Sequence, residues 1–555
     1  MKDTPVKFTL SVVLVFILTL GITACNNGGN GTTAPTTSEP PSEASAMAII
    51  PDAPAVTPAG DPVRSQCTGC HAQNVEMIDS SNHAVHDCAQ CHIPGEHPQN
   101  PLLNESVVNQ SNELCGGCHP DQYRSFHTIN LESEAREEKA TPVGVSPMFD
   151  KLMQPYGFTK EHNEPRSHAF MVLDHITVDR AYGGRFQLEN WQDILASGNI
   201  WDILTDLGQQ YTLPESAKAA NPVCLTCKTT DNILEWAYMG DSHMFADFNR
   251  SSNVVEFIQA VENPTMGCIM CHDPHTTSHR VVRDGLIDAV TRGDNKIYSG
   301  STGESVADLE VVTFRNFRKI GLMEEPIANI ICAQCHVEYV CNPGYDMATG
   351  EYITMADSRT NHFPWVNVFD AYEHYNELEF RDFKHAVTGA TLVKLQHPDA
   401  ETNYGSLHQQ NGVECSDCHM PKLTNQAGEV YTSHWQTSPR TYIDNTCLSC
   451  HTEWTEEEAE YRIDSIQNYI KGKLSKAEYW LSELIDTFDL AIRYGVDEAT
   501  LNEARECHSQ AHILWEWWTA GNGGGFHNPD QARESLTRSV EFSKMGIQIL
   551  EEAMK

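Results

Sequence analysis

A Cys-x-x-Cys pair followed at once by a side chain that can bind iron occurs eight times in this chain. Seven copies end in His and begin at Cys67, Cys88, Cys115, Cys268, Cys332, Cys415 and Cys447. The eighth, Cys224-Leu225-Thr226-Cys227-Lys228, ends in lysine. A lone Cys-x-x-Cys could be half a zinc site or a redox dithiol. Zinc would need motifs in pairs and gives no reason for a His after each. The repetition instead points to c-type haem attachment, in which two thiols bond the porphyrin and the next residue ligates iron. Eight c-type haems are therefore expected, on Cys67/Cys70, Cys88/Cys91, Cys115/Cys118, Cys224/Cys227, Cys268/Cys271, Cys332/Cys335, Cys415/Cys418 and Cys447/Cys450. Their proximal ligands would be His71, His92, His119, Lys228, His272, His336, His419 and His451.

These sixteen thiols use most of the 19 cysteines, so the chain does not read as a disulfide scaffold. Residues 1–24 read as an export signal: Lys2 and Lys7, an apolar run from Phe8 to Leu20, then small residues. Ile22-Thr23-Ala24-Cys25 resembles a bacterial lipobox, making Cys25 the expected lipidated first residue; ordinary secretory cleavage nearby is the alternative. Either route places the mature chain outside the cytoplasm, periplasmic or membrane-anchored, and any membrane contact is expected through the anchor alone. The formal charge of −39 argues against nucleic-acid partners and against long-range attraction of an anionic substrate.

Residues 25–62, rich in Ser, Thr, Pro, Gly and Ala, read as a flexible tether. Three haem motifs then crowd into residues 63–140, where porphyrins must replace an ordinary apolar core. Residues 141–452 hold the lysine motif and four more, enough chain for a core and a pocket. In 453–555, Ile463, Ile466, Ile470, Leu474, Ala477, Leu481, Leu484 and Phe488 follow the spacing of a long amphipathic helix. Leu536, Val540, Ile547 and Leu550 mark another after Asn528-Pro529. The expected fold is mainly α with few strands: a small three-haem module, then a larger five-haem domain ending in long helices. Core packing accounts for part of those helices, and their length also suits a homo-oligomer interface.

Electron-transfer haems usually take a second strong ligand, and 26 histidines leave nineteen beyond the seven in motifs. The lysine haem differs: its amine must be deprotonated to bind iron. A catalytic site must also keep one coordination face open, as catalytic zinc does.

The order of three His motifs, one Lys motif and four His motifs resembles the octahaem branch of the ammonia-forming cytochrome c nitrite reductases. Over residues 141–555 the likeness is to that family's pentahaem catalytic core. His336-Val337-Glu338-Tyr339 resembles the segment with a calcium-binding Glu and an active-site Tyr, and Lys394-Leu395-Gln396-His397 resembles the Lys-x-Gln-His segment. The resemblance implies Ca²⁺ bound by Glu338, Tyr339, the Lys394 carbonyl and the Gln396 side chain, with His397 facing substrate. Pro165-Arg166-Ser167-His168-Ala169-Phe170 and Gly525-Phe526-His527-Asn528-Pro529 resemble distal-ligand motifs. By the family's spacings, His168 would serve the haem of Cys332/Cys335, His434 that of Cys268/Cys271, His408 that of Cys447/Cys450 and His527 that of Cys415/Cys418. For the N-terminal haems His83 and His127 are the candidates, with His86, His97 and His175 in reserve. The catalytic arginine of the family maps to Arg180, with Arg166 and Arg185 nearby. Tyr339-Val340-Cys341 resembles the branch's Tyr-x-Cys, whose sulfur is bonded to the tyrosine ring.

The resemblance implies six-electron reduction of nitrite to ammonium at the Lys228 haem, fed by a quinol-linked or small-cytochrome donor. Hydroxylamine and sulfite are compatible side substrates. A multihaem electron conduit, or an octahaem enzyme acting mainly on hydroxylamine, sulfite or tetrathionate, are the competing readings; the lysine motif argues against a plain conduit.

Overall fold

The computed structural model describes residues 67–93, 107–128, 148–154, 168–171, 222–253, 256–257, 260, 265–292 and 308–555. The export signal, Cys25, the tether, His97, Arg166, His175, Arg180 and Arg185 lie outside the described residues. All described residues belong to one compact unit, Glu39–Lys555.

Three helices carry the C-terminal region: α1 (Glu456–Tyr494), α2 (Glu498–Ala520) and α3 (Pro529–Ala553). Helix α1 begins at a capping box, in which Thr455 accepts from the Glu458 amide while Glu458 accepts from the Thr455 amide. It stops at Gly495, whose φ of 78° suits a left-handed cap that a side chain would strain. Helix α3 opens on Asn528, which accepts from the Gln531 amide, with Pro529 in the first turn. Ser535, Ser539, Ser543 and Gly546 form a buried small-residue stripe on α3. Ser535 donates to the Leu514 carbonyl (2.8 Å) and Ser539 to that of Ala511 (2.7 Å), so α3 lies close on α2. At Gly546 an added Cβ would meet Leu484 of α1 at 2.9 Å.

Helix α2 escapes an amphipathic reading because it is buried nearly all round, by Ala504, Cys507, His508, Ala511, His512, Trp515 and Trp517 among others. The fold is mainly helical, as expected, and the strands are short. Five small antiparallel sheets occur among the described residues. The largest joins β1 (His279–Val281), β2 (Glu310–Phe314) and β3 (Arg318–Met323), with β3 in the centre. Its register sets Val281 and Val311 opposite Gly321. These pairs close the excursions between haem motifs rather than form a separate layer.

Buried hydrophobics in 67–128 are few among the described residues: Val75, Tyr123 and Phe126. Polar bonds fasten this stretch to the rest of the unit. Asn112 donates to the Met266 carbonyl (3.0 Å), Gln110 to Asp231 (3.1 Å) and Asn425 to Asp121 (2.8 Å). No helix among the described residues is long and apolar enough to cross a membrane.

His385 locks Phe149–Leu152 against this framework. Its Nε2 donates to the Lys151 carbonyl (2.9 Å), and its Nδ1 accepts from the amides of Val387 and Thr388. Burial drives its pKa down to about 4. Below about pH 6.5 the unfolded chain therefore takes a proton that the folded chain refuses. Stability should be fully present above that pH and fall by roughly 3 kcal/mol towards pH 4. Urea midpoints of the parent and His385→Gln measured between pH 4 and 7 should converge at the acid end. Parallel curves would exclude this contribution.

Candidate functional site

Each motif folds into one tight turn. The amide of the residue after the second Cys returns to the first Cys carbonyl at His71 (2.8 Å), His119 (2.9 Å), His336 (3.0 Å) and His451 (2.9 Å). This turn sets two thiols and an imidazole around one space. At Lys228 the amide bonds one residue later, to Leu225 (2.8 Å). The described cysteines form no disulfide, so every motif thiol remains available.

The thiols expected to anchor haem are not sheltered alike. Cys224 and Cys227 of the lysine motif are buried, whereas Cys70, Cys118 and Cys450 are exposed. These three are the second thiols of the first, third and last motifs, and as anchoring residues they depart from the enclosed setting of the lysine motif. The reason is local. Cys70 and Cys118 stand in the stretch with few buried hydrophobics, beside His71 and His119, which are exposed as well. The short helix Cys447–Cys450 buries none of its residues, and His408 across from His451 is exposed too. Protein atoms alone therefore do not cover these anchors, and the motifs concerned lie at the surface of the molecule. Burial is no requirement of a thioether, and exposure of Cys70, Cys118 and Cys450 places these motifs at the periphery.

Two imidazoles trans on one iron, with metal–nitrogen bonds of about 2 Å, place their ring centres about 6 Å apart. The structure brings His168 to 6.0 Å from His336, His434 to 6.2 Å from His272, His527 to 6.2 Å from His419 and His408 to 6.4 Å from His451. His83 lies 6.3 Å from His119. His127 stacks on Tyr123 at 5.0 Å, with the Phe170 ring tilted against it at the same distance, and His86 bonds Gln90. His275, which the family spacings pass over, stands 5.9 Å from His92.

Several of these rings are aimed through Nδ1. His83 bonds the Pro274 carbonyl, His419 that of Thr437 and His434 that of Thr432, each at 2.9 Å. Asp399 bridges Nδ1 of His336 (3.4 Å) and of His527 (3.5 Å). Nδ1 bonded to oxygen leaves Nε2 for metal and fixes the ring's direction. Burial pushes the Asp399 carboxyl up, but the bonds from His336 and His527 outweigh it and hold it below the ordinary carboxylate range. The residue types and spacings fit haem.

Motifs also meet one another. The thiols of Cys115 and Cys268, of Cys227 and Cys335, and of Cys332 and Cys415 pair directly. Two buried asparagines, each three residues before a motif, repeat one device. Asn112 accepts from the Cys268 amide (3.1 Å) and Asn329 from the Cys415 amide (3.0 Å). An Asn at that offset is the sequence signal that could have located these junctions.

Around the lysine motif, Cys224, Cys227, Tyr339 and Cys341 are all buried. The Tyr339 hydroxyl contacts Cys227, and the Cys341 thiol contacts Cys224. Burial first, and then neighbouring Cys227, push the Tyr339 phenol well above its ordinary pKa. His397 is buried, with its ring 6.4 Å from that of His336. Arg283 was not singled out in the sequence. It is fully buried, bonds Cys227, and lies 5.1 Å from the Tyr339 ring and 5.2 Å from that of Phe363.

Beside this pocket, oxygen donors accumulate. Glu338 accepts from the Tyr375 hydroxyl and from the Gln396 amide, both at 2.6 Å. Glu401 accepts from the Glu338 amide (2.9 Å), and Asp382 from that of Lys394 (2.7 Å). Gln396 Oε1 and Glu401 Oε2 are buried without a hydrogen bond. Burial raises Glu338 to about 8 and Asp382 to about 7. No group of three or more His, Cys, Asp or Glu gathers at metal-binding distance among the described residues. The ligand set implied by the resemblance needs only one carboxylate, Glu338, with carbonyl oxygens around it. Unsatisfied hard oxygens of this kind fit Ca²⁺.

Comparison with known proteins adds to this geometry. A family model described as cytochrome c552 matches residues 199–555. The cytochrome c nitrite reductase subunit NrfA of Nitratidesulfovibrio vulgaris is 26% identical over 470 residues, covering 78% of this chain and 77% of that protein. Cytochrome c-552 of Bacteroides thetaiotaomicron is 28% identical over 448 residues, 78% of this chain and 75% of its own. Among solved structures, cytochrome c nitrite reductase from Desulfovibrio desulfuricans, described with two calcium sites, superposes with a TM-score of 0.58 at 23% identity. It covers 80% of this chain and 87% of its own. The last likeness shows the shared fold.

Without a cation, Glu338 keeps its proton in the folded state, so stability should decline as pH rises from about 4.5 through 8. A dication binds the carboxylate and reverses this. Added Ca²⁺ should raise the melting temperature of chelator-treated protein more at pH 8 than at pH 5, and Glu338→Gln should abolish the difference. An equal calcium response in that variant would remove Glu338 from the cation site.

Proposed function

The chain belongs to the cytochrome c552 family, and from that membership we propose an exported multihaem nitrite reductase that forms ammonium at the haem of Cys224/Cys227, with Lys228 below the iron. The observation that carries this reading is the single lysine motif, buried against Tyr339, Cys341 and Arg283, among seven motifs that end in His. The chain is an oxidoreductase of the nitrite reductase kind. The finer reading is an octahaem member, with three further haems ahead of a pentahaem core.

When bound, the haems supply electron storage and one open coordination position for the nitrite nitrogen. The protein's own residues do the rest. Arg180 and His397 hold the nitrite oxygens and stabilise negative charge as the N–O bonds break. Tyr339 and His397 pass protons to the departing oxygens, which leave as water. Arg283 keeps a fixed positive charge against the Tyr339 ring, inside a molecule whose formal charge is −39. Glu338, Tyr339, the Lys394 carbonyl and Gln396 would hold calcium, which would orient the segment carrying His397. A Tyr339–Cys341 bond would fix the phenol ring.

The observed placement of His168, His408, His434, His527 and His83 near 6 Å from proximal imidazoles supports their reading as distal ligands. The thiol contacts between motifs support close haem-to-haem electron transfer. The exposed anchors Cys70, Cys118 and Cys450 support entry of electrons from a donor at the surface. Exposed Tyr461, Tyr469, Leu490, Ile492 and Tyr494 on α1 support a homo-oligomer. Export as a lipoprotein through Cys25, hydroxylamine and sulfite as side substrates, and a quinol-linked or small-cytochrome donor complete the reading.

Supplied anaerobically with reduced viologen and nitrite, the protein should consume six electrons per ammonium formed. Nitric oxide as the end product, or no ammonium, would defeat the assignment. Lys228→His should retain every haem but lower nitrite turnover by about tenfold or more; unchanged turnover would remove the lysine from the mechanism. Intact mass should show eight haems and, with the Tyr339–Cys341 bond, two hydrogens fewer.

A further inference from the structure

We propose that His275 is the second axial ligand of the haem carried by Cys88 and Cys91, opposite His92. The inference rests on the haem reading above and extends it to a residue that the family spacings do not select. The ring centres of His92 and His275 are 5.9 Å apart, and their planes differ by 27°. That separation matches the pairs His272–His434 at 6.2 Å and His168–His336 at 6.0 Å.

The loop that presents His275 is built to hold it. Asp273 is buried and accepts from the His275 amide (3.0 Å), the Thr276 amide (2.9 Å) and the Thr276 hydroxyl (3.2 Å). Its other oxygen pairs with Arg280 at 3.1 Å, and Arg280 in turn donates to the Ile269 carbonyl (2.6 Å). The Asp273 amide closes the loop on Ser278 (2.9 Å), and Thr277 takes a left-handed φ of 58° to complete the turn. Asp273 is therefore a positioning residue that fixes the backbone on which His275 stands.

The same turn serves two further haems. It follows His272 directly, and its Pro274 carbonyl accepts from Nδ1 of His83, the imidazole opposite His119. The sequence Cys271-His272-Asp273-Pro274-His275 thus ties the haem sites of the second, third and fifth motifs to one rigid hairpin.

The test uses the complete holoprotein, with haem mass located on the Cys88–Cys91 peptide and ferric spin states counted by electron paramagnetic resonance. His275→Ala should keep haem on that peptide and convert one low-spin haem per chain to high-spin, with added imidazole restoring it. His275→Met, a variant that keeps a ligand should the first fail to fold, should remain low-spin while the potential of one haem rises. Haem on the peptide with an unchanged spin count and unchanged potentials would overturn the ligand assignment alone. A peptide without haem would overturn the haem reading and the proposal together.

Discussion

Imidazole rings held about 6 Å apart, each pair drawn from distant parts of the chain, are the constraint on which this molecule depends. A chain with Val75, Tyr123 and Phe126 as the buried hydrophobics described in 67–128 has little apolar core of its own there. On the proposed reading, porphyrins tethered through the motif thiols would supply the missing surface, and each axial histidine would cross-link distant segments. The structure invests hydrogen bonds in aiming those rings: Thr432, Thr437 and Pro274 give backbone carbonyls, and Asp399 gives one carboxylate to two rings. The three C-terminal helices add an ordinary apolar core, in which Ile470, Leu481, Trp515 and Leu536 pack in one cluster with Phe149, Val340, Tyr375 and Leu392.

Electrostatics shape the reaction pocket. A chain of formal charge −39 must admit an anion, so positive charge has to be local. Arg283 lies in the face of Tyr339, while Glu338, Glu401 and Asp382 crowd nearby with burial opposing their ionisation. On the proposed reading, a dication bound at Glu338 would relieve that crowding and brace the segment that carries Gln396 and His397. The same ion would act on structure and on the field felt by substrate.

What could be read from the sequence divides by locality. Haem attachment demands thiols and a proximal ligand within five consecutive residues, so all eight motifs are plain to the eye. Their depth in the fold is not: the same five-residue pattern leaves Cys70, Cys118 and Cys450 exposed and buries Cys224 and Cys227. The ends of α1 and α3 are also local, set by Thr455, Glu458, Gly495 and Asn528. Partners across an iron come from far along the chain, and only the family's spacings point to His168, His408, His434 and His527. Where those spacings stop, His275 was missed although it follows a motif histidine by three residues. Helix α2 was hidden because burial on every side erases the polar stripe that makes amphipathic helices visible. Asp399 and Arg283 gave no local pattern; their neighbours His336, His527, Cys227 and Tyr339 give them meaning only in three dimensions.

On the proposed reading, the iron above Lys228 differs from the rest by an open coordination face. Electron paramagnetic resonance of the oxidised, substrate-free holoprotein decides whether it does. One high-spin ferric haem per chain should appear beside seven low-spin ones, and its signal should change when nitrite is added. Eight low-spin haems whose signals nitrite leaves untouched would contradict it.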